Sequence, residues 1–331
     1  MITRWWVRPL AIRALWRLLS FCIFVAVGGK PIVGAARWDD GYYLTILRQG
    51  YRPFPAYGAF QQTEFFPLLP WTTRVVQALV RSETVAVHIV VSAASLAAVL
   101  LIYTIARRYR DEATALLAVA VLLGSPGSIF LWLFFSEGIY IALSAGALLA
   151  AESRRPLLAA ALGAGVAMCR PLGVLIVVPL LLAQAERRPR AERRRVDCTT
   201  ATAFVPVVGL LVVMAAQWRQ AGDPFAYPKV SALWGRHNSL PITPLVERLQ
   251  EMFVLRLFNG VILADWLCMV VVLAMGAYSL RARFSCALPA AILIADKLRG
   301  RQRLTLVVLI LSLTFLEVQI ASAWHGGLYV G

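Results

Sequence analysis

Apolar runs separated by short basic clusters extend along the whole chain. The first run covers residues 9–29, and the second covers about residues 85–106 and ends in "ARRYRDE". An α-helix needs about 20 apolar residues to cross a bilayer, and cytoplasmic loops are rich in Lys and Arg. The pattern therefore predicts an all-α, polytopic membrane protein whose first helix is a retained anchor with its basic end in the cytoplasm. The arginines at that end are Arg4, Arg8, Arg13 and Arg17.

The later runs predict further membrane helices of unequal length. One run begins near residue 113 and stops at "GSPGS", and the next returns to a basic turn at Arg154 and Arg155. The run after that is interrupted at its centre by "CRPLG", which leaves halves of about 13 residues, too short to span alone. We predict a hairpin of two short helices there, with Arg170 at its outer tip. The remaining runs, at about 199–217, 253–280, 284–297 and 304–323, bring the prediction to about nine to eleven transmembrane segments.

Two long loops lie on the outer side in this arrangement. The first, residues 30–84, is rich in Trp, Tyr, Phe and Pro and is expected to hold interfacial helices, and the second covers residues 218–250. Long loops in compact proteins usually carry function. No soluble domain or low-complexity tract interrupts the sequence. Residues 1–331 are therefore predicted to form a single transmembrane domain.

Composition supports a membrane protein and changes how the charge is interpreted. Hydrophobic residues make up 60% of the chain and charged residues 15%, against about a quarter in soluble domains. The net charge is +16 and comes mostly from arginine. Because the cations stand between apolar runs, they favour contact with membrane lipids over nucleic acid. The Arg and Ala bias favours a bacterial plasma membrane.

Cysteine and histidine give no sign of a metal site. The five cysteines show no CxxC spacing, and the three histidines form no HxxxH or HExxH pattern. A structural zinc site or a disulfide framework is therefore not expected. We predict a protein without a cofactor.

The segment "GAARWDDGYYLTILRQGY" places two adjacent acids, Asp39 and Asp40, among aromatic residues of the first outer loop. If the segment is helical, the two side chains point roughly 100° apart, so they do not form a paired-carboxylate site. Asp39 then shares a stripe with Tyr43, and Trp38 shares another with Tyr42. The plain alternative is that both acids only stabilise the N-terminal end of an interfacial helix.

Isolated polar groups recur at the same outer level. Glu64 lies in "TEFFPLLP", Glu137 in "FFSEGIY", Asp223 in "GDPFAY" and Arg170 in the hairpin break. Polar groups at membrane depth are costly and often functional. Snorkelling of Arg170 and a Gly-Asp-Pro turn at Asp223 are the simpler explanations. The grouping of acids and arginines on one side of the membrane favours a site.

Five motifs follow one another between residue 37 and about residue 237. They are "RWDDGYYLTILRQGY", "TEFFPLLP", "SPGSIFLWLFFSEGIY", "GAGVAMCRPLGVLIVVPLLL" and "WRQAGDPFAYPKVSALWGR". In this order they resemble the W-D-x-G-W/Y-Y-L-x-I-A-x-x-G-Y, FFPLYP, P-x-S-x-F-F-x-x-x-Y-S-E-S, A-x-x-T-R-x-x-G and G-D-P-x-A-F-x-x-x-Q-x-x-W-G-R motifs of the PIG-V type mannosyltransferases. That family includes relatives of the second mannosyltransferase of GPI-anchor synthesis. The five ordered matches are jointly specific.

The resemblance weakens toward the C-terminus. The family's R-Y-x-x-x-x-F-P motif is represented only by "RARFSCALP" around Arg283, and the C-terminal lobe, residues 251–331, is short. Phe135 replaces the tyrosine that precedes Ser-Glu in the family motif.

The resemblance implies a GT-C type glycosyltransferase. Such enzymes transfer a sugar, with inversion, from a polyprenyl-phosphate donor to a hydroxyl of a lipid-linked or membrane-presented acceptor on the outer face. Asp39 matches the motif aspartate and is the implied general base, with Asp40 in a secondary role. Arg170 and Arg283, with Arg236 behind them, are implied to hold the donor phosphate without a metal ion. The other implied substrate-binding residues are Trp38, Tyr42, Tyr43, Glu64, Glu137 and Asp223.

Two other functions stay open at this point. A transporter or lipid flippase would use charged groups to line a path, and would place them near the bilayer midplane on broken helices. A degenerate GT-C subunit without activity would account for the short C-terminal lobe. Neither the sugar nor the acceptor is selected by the residues themselves.

Overall fold

The computed structural model describes residues 5–26, 39–51, 61–186 and 198–233, together with Val246 and Gln250. Within these ranges the chain forms only helices and their connections, in agreement with the predicted all-α fold. Its α-helices are α1 Val7–Ala26, α2 Asp40–Gln49, α3 Leu68–Val80, α4 Glu83–Tyr109, α5 Glu112–Gly124, α6 Glu137–Glu152, α7 Pro156–Cys169, α8 Val177–Glu186, α9 Cys198–Thr202, α10 Val205–Ala221 and α11 Ala226–Leu233. Short 3₁₀ helices cover Gln61–Glu64, Pro126–Leu131 and Pro171–Ile176.

Several sequence predictions lie outside the described residues. They concern Trp38, Arg236, Arg283, the helices predicted after residue 250 and the C-terminal lobe 251–331.

Helix ends follow local capping chemistry. Ser82 accepts a hydrogen bond from the backbone N–H of Val85 (3.4 Å) at the start of α4, and Asp111 accepts one from Thr114 (3.2 Å) at the start of α5. Both contacts satisfy backbone donors that have no partner within the helix. Gly222 ends α10 at φ 79°, a left-handed conformation that glycine adopts without a steric penalty.

The long helix α4 organises the described bundle. It packs against α1, α3, α5 and α6, and α7 packs in turn against α6 and α10. Among the described residues, two stretches are long and apolar enough to cross a membrane: Glu83–Tyr109, and Thr200–Ala221, which joins α9 to α10. Three shorter apolar helices accompany them. The total of about nine to eleven spans stays a prediction.

The predicted hairpin around "CRPLG" is confirmed. Helix α7 ends at Cys169, Arg170 is extended at φ −155° and ψ 150°, and the 3₁₀ helix follows at once. A Cβ added at Gly173 would lie 2.2 Å from the carbonyl oxygen of Val166, and one at Gly163 would lie 3.2 Å from Leu180. The chain therefore reverses at Arg170 and returns closely along α7.

The position of Arg13 and Arg17 differs from the sequence prediction. Both were expected at the cytoplasmic end of the first helix, but Arg13 contacts Ser92 and Ser95 near the middle of α4. The Arg17 guanidinium lies 4.6 Å from the ring centre of Trp132. Only Arg8 of this helix reaches Glu112 at the start of α5, at 2.9 Å. Positive charge in α1 thus extends into the bundle.

A close contact between α7 and α10 gives a stability prediction. A Cβ at Gly209 would lie 2.3 Å from the carbonyl oxygen of Ala164, whereas one at Gly127 would meet nothing within 4 Å. Small residues allow such helix–helix approach in membranes. We expect Gly209→Ala to destabilise the protein by about 1–3 kcal/mol, measured as a lower unfolding temperature in detergent. Gly127→Ala is the matched control, and equal behaviour of the two variants would contradict the packing.

Candidate functional site

Helix α2 carries the two adjacent acids and is anchored at its other end. Arg48 pairs with Glu83 at 2.6 Å, and both side chains are partly exposed to solvent, so this pair is a surface anchor. Arg74 donates from Nε to the carbonyl oxygen of Leu47 at 3.0 Å and from Nη2 to that of Ile46 at 3.1 Å. These contacts satisfy carbonyls in the last turn of α2. They hold the helix so that its N-terminal end is fixed in the bundle.

The structure gives Asp39 and Asp40 different environments, as the helical geometry predicted. Asp40 is only 3% exposed and lies on the buried face with Tyr43, Leu44 and Leu47. Asp39 is half-buried and occupies the N-cap position, but its side chain makes no capping hydrogen bond. A capping hydrogen bond therefore does not explain why an aspartate stands at position 39.

Arg170 is held by side chains from a neighbouring helix. Its Nη2 donates to Oε1 of Glu137 and its Nε donates to Ser136 Oγ at 3.2 Å. Its guanidinium carbon also lies 5.9 Å from the ring centre of Tyr140. An arginine carries five N–H donors, so these contacts leave others for a ligand. The side chain is 42% exposed, which gives a ligand access to it.

Tyr43 links α2 to this arginine cluster. Its hydroxyl donates to Ser136 Oγ at 3.0 Å, so Ser136 receives hydrogen bonds from both Tyr43 and Arg170. Burial raises the pKa of the Tyr43 phenol well above its ordinary value. The phenol consequently stays protonated and remains a hydrogen-bond donor.

Glu137 connects the two charged parts of the site. It pairs with Arg170, and Asp39 acts on it electrostatically. Its second carboxylate oxygen, Oε2, is buried and makes no hydrogen bond in the described part of the protein. The sequence-predicted residues Asp39, Tyr43, Glu137 and Arg170 are thus brought together from three separate segments.

Aromatic rings cover the same region. Tyr42 stacks on Phe65 with ring centres 4.8 Å apart and planes 10° apart, and Tyr43 meets Phe65 edge-on at 5.2 Å. Tyr43 also contacts Phe134 and Phe135. Tyr42 is only half-buried, which leaves part of this aromatic surface for a sugar or a lipid chain.

The two long loops that the sequence analysis placed at residues 30–84 and 218–250 meet at Glu64. Glu64 Oε1 accepts a hydrogen bond from Ser231 Oγ at 3.3 Å, and Gln217 Nε2 donates to the Thr63 carbonyl oxygen at 2.8 Å. Phe66 packs edge-on against Tyr227 at 5.5 Å. Glu64 is buried and ties the first loop to α11.

Asp223 belongs to a local turn. Its Oδ1 accepts a hydrogen bond from the Phe225 N–H at 2.9 Å, and its Oδ2 pairs with Lys229 at 2.5 Å. The hydrogen bond from Lys229 lowers the pKa of the Asp223 carboxyl. These contacts lie within residues 223–229 and match the simpler explanation given by the Gly-Asp-Pro turn.

The site lies well along α4 from Glu83, the first residue of that helix. A Cβ at Gly138, next to Glu137, would lie 3.6 Å from Ala94 Cβ and from the Ser95 nitrogen. Ala94 is eleven residues after Glu83, a distance of about 17 Å at 1.5 Å per residue. Because Arg48 meets Glu83 and Tyr43 meets Ser136, α2 runs from the site toward the Glu83 end of α4.

Ser136 and Tyr140 complete the cluster and were missed by the sequence reasoning. Ser136 stands in the quoted "FFSEGIY" segment, beside the Glu137 that was selected there. Ser136 is uncharged and does not stand out in the pattern of polar groups along the chain. Only its place in the Ser-Glu pair of the family motif could have identified it as a site residue. Tyr140 follows one helical turn after Ser136 and shares its side of α6.

No group of three or more His, Cys, Asp or Glu side chains in the described ranges is arranged to hold a metal ion. Phosphate binding by arginine without a metal ion stays a prediction.

Comparison with known proteins identifies a related family. Residues 64–218 match the family described as dolichyl-phosphate-mannose-protein mannosyltransferase. No curated protein sequence matches the chain. The matched region is just under half of the chain and contains Glu64, Glu137 and Arg170, but it begins after Asp39 and ends before Asp223. Together with the all-helical fold and the membrane-length helices, it supports a membrane glycosyltransferase of the GT-C mannosyltransferase type.

Proposed function

We propose that this protein is a membrane mannosyltransferase that uses a polyprenyl-phosphate mannose donor and a membrane-presented acceptor. The observation that carries the proposal is that Tyr43, in the first turns of the helix that Asp39 opens, is hydrogen-bonded to the cluster of Ser136, Glu137 and Arg170. The family match over residues 64–218 supports sugar transfer from a lipid-phosphate donor. The PIG-V type, a bacterial plasma membrane and an outward-facing site belong to the same proposal.

In this proposal Asp39 is the general base. The acceptor hydroxyl gives its proton to the Asp39 carboxylate while its oxygen attacks the anomeric carbon of the donor. The bond from that carbon to the phosphate oxygen breaks, and its electron pair leaves with the phosphate. A single displacement of this kind inverts the anomeric configuration. Asp39 is half-buried and makes no capping hydrogen bond to α2, so the role of a helix cap does not compete with the role of a base.

Arg170 binds the phosphate that leaves. Charge develops on the bridging phosphate oxygen as the bond to the sugar breaks, and a fixed guanidinium stabilises that charge. Ser136 and Glu137 hold the Arg170 side chain in place, and Tyr43 holds Ser136. The proposal includes Trp38, Arg236 and Arg283 as further donor-binding residues and Glu64 as an organiser of the outer loops.

A transporter is the second candidate, and one observation favours it. Arg170 lies in a helix break, level with residues near the middle of α4, and transporters place polar groups at such breaks. The enzyme is preferred because Asp39 opens a separate segment, α2, whose Tyr43 is hydrogen-bonded to the same cluster. It is also preferred because the matched family consists of glycosyltransferases.

The two functions are separated by one assay. Membranes from cells that produce the protein are incubated with synthetic polyprenyl-phosphate mannose labelled in the sugar. We expect label in a new membrane product together with stoichiometric free polyprenyl phosphate, and neither in membranes from cells without the protein. Movement of labelled donor across proteoliposomes with no product formed would instead establish transport.

A further inference from the structure

Arg13 and Arg17 form a second basic cluster, separate from Arg170. They are four residues apart in α1 and therefore lie on one face, one turn from each other. Arg13 donates to Ser95 Oγ at 3.3 Å and to the Ser92 carbonyl oxygen at 3.1 Å. The Arg17 guanidinium packs on the face of Trp132 at 4.6 Å.

Neither guanidinium has an acidic partner among the residues that the structure describes. Arg8, in the same helix, pairs with Glu112 at 2.9 Å, and Arg170 pairs with Glu137. Arg13 instead acts on Arg17 as a like charge, and both side chains are only half-buried. Two neighbouring cations that share no carboxylate leave a net positive site.

The depth of this cluster makes a bound anion the natural complement. Ser95 lies twelve residues after Glu83 in α4, about 18 Å along the helix. Gly138, the neighbour of Glu137, packs close to Ser95, because a Cβ added at Gly138 would lie 3.6 Å from the Ser95 nitrogen. Charged side chains at membrane depth are costly unless they are paired or hydrated. Arginine also binds phosphate oxygens through two parallel N–H donors, which Lys does not provide.

We propose that Arg13 and Arg17 bind a lipid-borne phosphate. The phosphate lies between the two guanidinium groups, with the Ser92–Ser95 turn on one side. Its apolar chain runs along α1 past Phe21, which is exposed one helical turn after Arg17. The same chemistry is offered by a polyprenyl phosphate and by an anionic phospholipid headgroup. The site does not depend on the proposed sugar transfer, because it contains none of the residues assigned to that reaction.

Lipid retention measured by native mass spectrometry tests the proposal. The purified full-length protein is delipidated and offered polyprenyl monophosphate, phosphatidylglycerol, phosphatidylcholine or inorganic phosphate separately. We expect at least one of the two anionic lipids to bind, and Arg13→Gln/Arg17→Gln to reduce its bound fraction at least about tenfold, in line with the loss of two charge-assisted contacts. Arg8→Gln should bind as the unchanged protein does. The anionic lipid that responds identifies the source of the phosphate.

The single variant Arg17→Gln distinguishes loss of lipid binding from loss of folding. Arg17 contacts the Trp132 ring and is not hydrogen-bonded to α4, so its removal should leave the helix packing intact. This variant should keep the unfolding temperature and still lose most of the lipid. Arg17→Lys should bind more lipid than Arg17→Gln, because it keeps the charge. Equal lipid retention by the unchanged protein and the double variant would overturn the proposal. Equal binding of phosphatidylcholine and the anionic lipids, or binding of inorganic phosphate alone, would overturn it as well.

Discussion

Asp39→Asn should reduce mannose transfer by about 100- to 10,000-fold, the range expected when a general base is removed. Asparagine has nearly the same shape as aspartate but cannot accept the acceptor's proton. The side chain of Asp39 makes no capping hydrogen bond to α2, so the helix should form as before. The measurement is the initial rate of labelled product formation in membranes, divided by the amount of folded protein. Donor binding should change little, because Arg170 is untouched.

Two other acids serve as controls for Asp39. Asp40→Asn alters a buried group on the packed face of α2, so its effect should fall on stability, with transfer per folded molecule kept within a few-fold. Asp223→Asn alters an exposed turn whose carboxylate pairs with Lys229, and it should leave transfer unchanged. If Asp39→Asn turns over normally while Asp40→Asn does not, the base has been assigned to the wrong acid.

The secondary structure of the described part follows closely from the sequence. The break at Arg170 could be predicted because Pro171 and Gly173 interrupt an apolar run whose halves are too short to span. The different environments of Asp39 and Asp40 follow from the helical period, which places neighbours about 100° apart. Which of them is buried could not be predicted, because that depends on the surfaces that α3 and the 3₁₀ helix Gln61–Glu64 present to α2.

The missed parts of the site have physical causes of a different kind. The positive-inside rule counts basic residues near helix ends, and it does not specify what a particular arginine packs against. Arg13 and Arg17 therefore appeared as topology signals, whereas they contact the middle of α4 and Trp132. Ser136 carries no charge, and its role depends on two hydrogen bonds made across the bundle. Such contacts between distant segments are not encoded in local spacing.

Arg170→Gln should lower transfer by about 100- to 1,000-fold, as loss of one group that stabilises developing charge usually does. It should also destabilise the fold, because Glu137 loses its partner while Oε2 is already without a hydrogen bond in the described part of the chain. The expected loss is about 1–3 kcal/mol. This is less than the ~3–5 kcal/mol of a fully buried pair, because water screens partly exposed charges. The two side chains are 42% and 24% exposed.

The double variant Glu137→Gln/Arg170→Gln separates catalysis from folding. Removing both charges leaves no uncompensated carboxylate, so most of the lost stability should return. Transfer should stay as low as in Arg170→Gln, because the cation for the phosphate is still absent. Arg219→Gln, at an exposed arginine in α10, is the control and should change neither property. Recovery of transfer together with stability would show that Arg170 acts only as the structural partner of Glu137, and that another cation receives the phosphate.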